Sequence, residues 1–141
     1  MGRIDKHLDR SSFQRIKKVF HFHEKNQQSY MGLKNKAQVL LKRTHRWESS
    51  PEEKGWIRTL TECHIPFAEI IPSEFMQADL SKYKLLILAD IKNFTEDEAK
   101  KVDEYVRNGG RVVATGETGL YDPYVGFRGN QILECLGVNS V

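Results

Sequence analysis

A stretch in the second half of the sequence constrains the fold of this chain more than any other. Its first run, Leu85 to Ala89, is apolar at every position, which is typical of a strand covered on both faces of a parallel sheet. Thr95 and Glu98 have the spacing of a capping box at a helix start, and Gly109-Gly110 is typical of a helix end. A second apolar run, Val112 to Ala114, follows. The stretch therefore predicts a strand, a helix and a strand, the repeating unit of α/β domains.

The preceding sequence adds two strands and a helix of the same kind. We predict strands at Ala37–Leu41 and Pro66–Ile71, joined by a helix that starts at Ser50-Pro51. A further helix opens near Ser11, and a short last one starts at Asn130. Strands that alternate with helices favour right-handed crossovers. The predicted fold class is α/β, a flavodoxin-like three-layer sandwich with a mostly parallel sheet of about four strands in the order 2-1-3-4 and an added N-terminal helix.

The division of charge predicts how the chain is organised. Residues 1–48 hold 12 Lys and Arg against 4 Asp and Glu, a net charge of +8, whereas the remainder holds 10 against 15, a net charge of −5. We therefore predict a basic helical arm over residues 1–36 and one flavodoxin-like domain over residues 37–141. The basic residues of the arm are dispersed rather than concentrated, which favours a solvated face or an acidic docking partner over nucleic acid.

The arm also carries an apolar stripe at three- and four-residue spacing, formed by Phe13, Ile16, Val19, Phe20 and His23. It has to pack against the body of the protein or against a partner. The last predicted strand is an open edge, which needs to be covered by the loop after Gly119, by another chain or by a missing segment.

The two cysteines and the absence of long apolar runs indicate the cellular compartment of the protein. Cys63 and Cys135 fall on the apolar sides of predicted helices, so we predict reduced, buried thiols and a reducing compartment, the cytoplasm. No apolar run approaches the roughly 20 residues that span a bilayer, and the N-terminus lacks the apolar core of a signal peptide. We predict no membrane association.

Candidate site residues follow from the topology, because ligands of such sheets bind at the carboxyl ends of the strands, beside the point where the strand order reverses. That rule gathers three loops and predicts a polar rim, with a sugar or an anion as its ligand. Wet loops place polar residues at the rim of any parallel sheet, so surface polarity alone explains the same pattern. The rim consists of His45, Arg46, Asp90, Glu117 and Thr118.

More specific chemistry has weak support. A hydrolytic triad would use Thr118 or Ser49 with His45 and Asp90, but the sequence has no Gly-x-Ser-x-Gly elbow. His21 and His23 would point about 200° apart on a helix, so they cannot share an ion. The loop Gly116-Glu117-Thr118-Gly119 lacks both a dinucleotide fingerprint and a Walker lysine. We predict no catalytic residue, no metal and no cofactor.

Taken together in order and spacing, several motifs over roughly residues 13–141 resemble the trimerisation domain of the beta-galactosidases of glycoside hydrolase family 42 and related glycosidases. The resemblance rests on Phe20-x-x-x-Glu24, Tyr30-x-Gly32-Leu33, Ala37 to Leu41, Leu85 to Asp90, Thr95-x-Asp97-Glu98-Ala99, Tyr105-Val106, Gly109-Gly110, Val113-Ala114-Thr115-Gly116-x-Thr118-Gly119 and Gly129 to Val138.

The resemblance implies a class I glutamine amidotransferase-like fold that has lost its nucleophile, in agreement with the cysteine-free loop Gly116–Gly119. In that family the domain follows a catalytic (β/α)8 barrel and helps to assemble the trimer. The expected partners are a second copy of the chain or a glycosidase barrel, with carbohydrate as a further ligand. The barrel and its catalytic carboxylates are absent from this sequence, so we expect an assembly domain without activity of its own. We also expect the family domain to continue beyond Val141.

Overall fold

The computed structural model describes residues 10–33, 35–45 and 48–138, and it divides the chain into two compact units, Met1–Asn35 and Lys36–Val141. The first unit contains helix α1, Arg10–Tyr30. Because α1 begins at Arg10, Ser11 lies inside the helix and does not cap it. The predicted apolar stripe is present on α1, and its Phe13, Ile16, Val19 and Phe20 side chains are all exposed, from 44% to 70%.

The second unit is built around one parallel sheet. Its strands are β1 (Val39–Lys42), β2 (Phe67–Ile70), β3 (Leu85–Ala89) and β4 (Arg111–Thr115), and its helices are α2 (Pro51–Glu62), α3 (Pro72–Phe75) and α4 (Glu96–Arg107). The strand order is β2-β1-β3-β4, with every pair parallel. This confirms the predicted fold class and topology.

Alternate residues of the central strands build two separate cores. Leu40 of β1 and Leu86 of β3 pack with α4, whereas Leu41 and Ile87 pack with α2, through side chains such as Leu60. The sheet is thus covered on both faces, which explains why β3 is apolar at successive positions. Helices α2 and α4 follow neighbouring strands but leave toward opposite faces, so the strand order reverses between β1 and β3.

Three predicted details differ in the structure. Cys63 is exposed rather than buried, because α2 ends at Glu62 and Cys63 is the residue that follows its last turn. Cys135 is half-buried, and burial raises the pKa of its thiol to about 12. The predicted last helix from Asn130 is reduced to one 3-10 turn, Glu134–Leu136. The Gln131 amide explains the shorter helix, because it accepts the Leu133 N–H at 3.0 Å and competes with helix formation.

A short hairpin that the sequence pattern did not indicate follows β4. It consists of β5 (Tyr121–Asp122) and β6 (Gly126–Phe127), which pair antiparallel. Arg128 closes the hairpin by donating to the Asp122 carboxylate at 2.6 Å and to the Phe94 carbonyl at 2.8 Å. None of the helices in the described part of the chain combines the length and apolarity needed to cross a membrane.

Candidate functional site

A cleft of about 490 Å³ lies at the carboxyl ends of β1 and β3, where the strand order reverses. This is where α/β sheets of this type bind ligands. Ten of the twelve lining residues are polar or charged in type, with Pro72 and Ile91 as the apolar members, although apolar atoms make up most of the exposed lining. It comprises Lys42, Thr44, His45, Glu48, Ser49, Ser50, Pro72, Asp90, Ile91, Lys92, Asn93 and Glu98.

The floor of the cleft holds a buried lysine that the sequence interpretation missed. Lys42 is the last residue of β1 and is only 2% exposed. Its Nζ lies 3.3 Å from Glu98 Oε1, and 5.0 and 4.8 Å from the ring centres of Phe75 and Phe94. Burial lowers the pKa of Lys42, and the neighbouring Glu98 carboxylate opposes that shift. The only sequence signal for this site is a charged residue directly after an apolar run.

One wall of the cleft is the loop between β1 and α2, held by a buried carboxylate. Glu53 is fully buried and accepts the N–H groups of Ser50, at 3.0 Å, and of Thr44. Ser50 accepts the Glu53 N–H at 3.1 Å, which completes the predicted capping box. The Arg43 guanidinium adds a bond to Ser49 Oγ at 2.8 Å. These contacts fix the backbone on which His45 stands.

Thr44 leaves one polar atom without a partner. Its Oγ1 is buried, yet no hydrogen-bonding group among the described residues reaches it. Buried polar atoms are almost always hydrogen-bonded in folded proteins, so Thr44 Oγ1 is an exception, which it shares with Arg43 Nε, Thr115 Oγ1 and Arg128 Nε.

The opposite wall is a hydrogen-bonded crossing of the loops after β3 and β4. Asp90 adopts a left-handed backbone conformation, φ 51°, and its Oδ1 accepts the Glu117 N–H at 2.8 Å. Thr118 is 3% exposed, and its hydroxyl proton is shared between the Thr115 carbonyl, at 2.7 Å, and the Leu88 carbonyl, at 3.1 Å. The same oxygen accepts the Ile91 N–H at 3.1 Å. The Thr118 hydroxyl therefore serves the fold, and its proton is committed to backbone carbonyls.

The Glu117 carboxylate bonds to side chains, unlike the Thr118 hydroxyl, which bonds to the backbone. It forms an exposed ion pair with Lys92, and the hydrogen bond from Lys92 lowers the pKa of the Glu117 carboxyl, while the same contact raises the pKa of Lys92. The Tyr121 hydroxyl donates to the other carboxylate oxygen at 3.3 Å.

The structure thus divides the five predicted rim residues. His45 and Asp90 both line the cleft, whereas Glu117 and Thr118 belong to the loop crossing beside it. Arg46 lies outside the described residues. In the described part of the chain, no group of three or more His, Cys, Asp or Glu side chains is placed to hold a metal ion.

A wider depression of about 760 Å³ lies at the other end of the sheet, near the amino ends of β3 and β4. Two of the polar side chains that line it are already engaged. Lys101 Nζ donates to the Met76 and Ala78 carbonyls at 2.8 and 2.6 Å, and the Tyr105 hydroxyl donates to the Tyr83 carbonyl at 3.1 Å. The cleft at the carboxyl ends is the better candidate site, because ligands of such sheets bind at that end.

The architecture and the cleft define a three-layer α/β domain of the flavodoxin type. The sequence matches the model of the beta-galactosidase trimerisation domain over residues 24–136, and the chain belongs to this family of domains, which is part of glycoside hydrolase family 42. A comparison with curated proteins found no match.

Three solved structures share the fold. A beta-galactosidase from Bifidobacterium adolescentis is 17% identical, with a TM-score of 0.61 over 74% of this chain and 54% of that one. Alpha-L-fucosidase isoenzyme 2 from Paenibacillus thiaminolyticus is 26% identical, with a TM-score of 0.68 over 89% of this chain and 19% of that one. Gan42B, a GH42 beta-galactosidase, is 23% identical, with a TM-score of 0.53 over 67% of this chain and 16% of that one. The chain therefore spans about half the length of the first of these proteins and less than a fifth of the length of the other two.

Proposed function

We propose that this chain is a non-catalytic assembly domain that associates with a second copy of itself or with a glycosidase barrel. The observation that carries the proposal is membership of the trimerisation domain family over residues 24–136. The hydrogen bonds of Thr118 support the absence of catalysis, because its hydroxyl is bonded to three backbone groups. The free cysteines Cys63 and Cys135 are consistent with a reducing, cytoplasmic location.

The apolar stripe of α1 is the first proposed contact surface. Phe20 is 70% exposed on this stripe, alongside Ile16 and Val19. Exposed contiguous apolar side chains on a helix favour association with another surface. The other side of α1 is basic, with Arg15, Lys17, Lys18 and Lys25.

The free edge of β4 is the second proposed surface. Within the described residues, β4 pairs with β3 on one side, and no strand lies on its other side. An unpaired edge presents backbone N–H and C=O groups that another chain can bind. Hydrogen exchange tests this surface: the Arg111 amide already donates to the Lys84 carbonyl on the β3 side, so the alternate amides of Val112 and Ala114, which face the free edge, should exchange more slowly in the assembled protein than in a diluted, dissociated sample.

Sedimentation over a range of protein concentrations tests the assembly itself. We expect self-association that weakens in Phe20→Asp. The matched control is Phe22→Asp, which places the same charge on another face of the same helix, at a phenylalanine that is 57% exposed. A strict monomer at high concentration, together with no carbohydrate enzyme retained in a pull-down, would contradict the proposal.

A further inference from the structure

We propose that helix α1 pairs with α1 of a second copy of this chain, in antiparallel orientation, through a row of side chains flanked by Lys17 and Glu24. This inference rests on the proposed assembly function, and it names the partner surface, its orientation and its symmetry. Two features of α1 carry it, the spacing of its exposed side chains and the position of its charges.

The exposed side chains of α1 repeat in the pattern of a coiled coil. With Phe13 at position a of a seven-residue repeat, the a and d positions continue without a break to the end of the helix. The rings of His23 and Tyr30, which are successive d residues, lie 5.7 Å apart between their centroids, on one side of the helix. Such a seam is typical of a helix that packs against another helix. This α1 seam consists of six residues, all exposed: Phe13, Ile16, Phe20, His23, Gln27 and Tyr30.

The basic residues of α1 lie mostly away from the seam. Arg15 is at position c, and Lys18 and Lys25 are at position f, so these charges remain in solvent when two seams meet. Lys17 differs, because it is at position e and borders the seam. Glu24, the one acidic residue in the sequence of α1, is at the next position e. The two residues that border the seam at e therefore carry opposite charges.

This pair of charges selects the orientation of the two helices. In an antiparallel pair, e positions lie beside the partner's e positions. When the two seams overlap along their whole length, Lys17 lies beside the partner's Glu24, and twofold symmetry repeats the contact. In a parallel pair, e positions lie beside g positions, and Glu24 would lie beside the partner's Val19. The contact of His21 Nδ1 with Glu24 Oε2, at 3.2 Å, leaves room for this partner, because a carboxylate accepts several bonds.

The composition of the seam favours the same orientation. Full antiparallel overlap packs Phe13 against the partner's Tyr30, and Phe20 against the partner's His23, which are aromatic pairs. The Tyr30 and His23 rings can pack in this way while their polar atoms reach water at the edge of the pair. A parallel pair would instead place each His23 against another His23 and each Gln27 against another Gln27.

An antiparallel pair of this kind has twofold symmetry and joins two copies. It is a different contact from the free edge of β4, which belongs to the second unit. We therefore expect an assembly with an even number of copies, either a dimer or two larger assemblies joined through α1.

Sedimentation of the full-length chain at low ionic strength, over a range of protein concentrations, tests the pairing. Lys17→Glu and Glu24→Lys should each weaken association about tenfold or more, because each turns both attractive contacts into repulsive ones. The double variant exchanges the two charges and should associate within about threefold of the unaltered chain. An equimolar mixture of the two single variants should also associate, because a mixed pair contains attractive contacts only.

Lys18→Glu is the matched control, because it makes the same change of charge at position f, on the outer side of the helix. It should leave association unchanged. The inference is wrong if Lys17→Glu and Lys18→Glu weaken association equally, or if the double variant is not restored. It is also wrong if Glu24→Lys strengthens association, which would indicate an acidic surface as the partner of α1.

Failure of this pairing can be told apart from failure of the proposed function. A trimer that is unaffected by Lys17→Glu would refute the pairing and leave the assembly function standing. A strict monomer would refute the pairing, whereas the assembly function would fail only if a pull-down also retained no glycosidase barrel.

Discussion

Removal of the Glu53 carboxylate should be among the most destabilising single changes in the second unit. This side chain is fully buried and accepts the backbone N–H groups of Ser50 and Thr44. Its Oε2 also lies 3.5 Å from Arg43 Nε, a contact that is electrostatic rather than a well-formed hydrogen bond. Glu53→Ala would leave two N–H groups and part of a guanidinium without this buried acceptor.

The magnitude follows from those lost contacts. Loss of the capping interaction alone costs about 1 kcal/mol. A buried donor left without its acceptor costs about 1–3 kcal/mol, and Glu53→Ala leaves the Ser50 and Thr44 N–H groups without theirs, while Arg43 keeps its ion pair with Glu69. We therefore expect Glu53→Ala to lower the free energy of unfolding by about 2–6 kcal/mol, a large part of the roughly 5–15 kcal/mol that stabilises a typical domain.

Urea unfolding followed by circular dichroism, at one fixed protein concentration, measures this change. Glu52→Ala is the control, because Glu52 is a neighbouring exposed carboxylate in the same first turn of α2 and has the same relation to the helix dipole. Its effect should stay within about 0.5 kcal/mol. If Glu53→Ala and Glu52→Ala lowered the unfolding midpoint equally, the buried carboxylate would act only through the helix dipole, and the reasoning would be refuted.

Three further changes test other parts of the second unit. Gly116→Ala should destabilise it by about 1–3 kcal/mol, because Gly116 has φ 61° and a Cβ there would overlap Asp90 Oδ1; thermal unfolding measures the loss, and an unchanged midpoint would contradict it. Tyr105→Phe should cost about 1 kcal/mol in urea unfolding through loss of the hydrogen bond to the Tyr83 carbonyl, and no cost would mean that water replaces that bond. Burial lowers the pKa of Lys42 below 10.5, so the unfolded chain binds more protons just below that pH, and the contribution of Lys42 to the free energy of unfolding rises with pH there. Lys42→Met should remove that rise when unfolding free energies of the two proteins are compared between neutral and alkaline pH, and parallel pH profiles would refute the assignment.

The topology was predictable because local signals agree with the global fold. The capping residues Ser50 and Thr95 mark the starts of α2 and α4, and both capping boxes are formed in the structure. The uninterrupted apolar run of β3 indicates its central position in the sheet. Such agreement between local signals and the global fold is what allows a fold to be predicted from sequence.

The centre of the candidate site could not be predicted in the same way. Lys42 is charged, and charged residues are rarely fully buried, so its position at a strand end indicates an exposed side chain. Its burial depends on Phe75, Phe94 and Glu98, which come from other elements and meet only in the folded chain. The unpartnered Thr44 hydroxyl is likewise a property of the packed loop and not of the sequence pattern.

The Thr118 hydroxyl also bears on what this domain can become. A cysteine or serine side chain at this position would be surrounded by the Leu88 and Thr115 carbonyls and the Ile91 amide. The hydrogen bonds of these groups to Thr118 hold the loop ends of β3 and β4 together. A nucleophile at this position could react only if its side chain broke those hydrogen bonds, and the two loops would then no longer be held together. A single substitution at Thr118 therefore does not by itself provide a free nucleophile, since a change that frees the side chain also removes hydrogen bonds that stabilise the loops. The floor of the cleft differs in this respect, because the Thr44 hydroxyl makes no hydrogen bond among the described residues and Lys42 pairs with Glu98 rather than with the loop after β4.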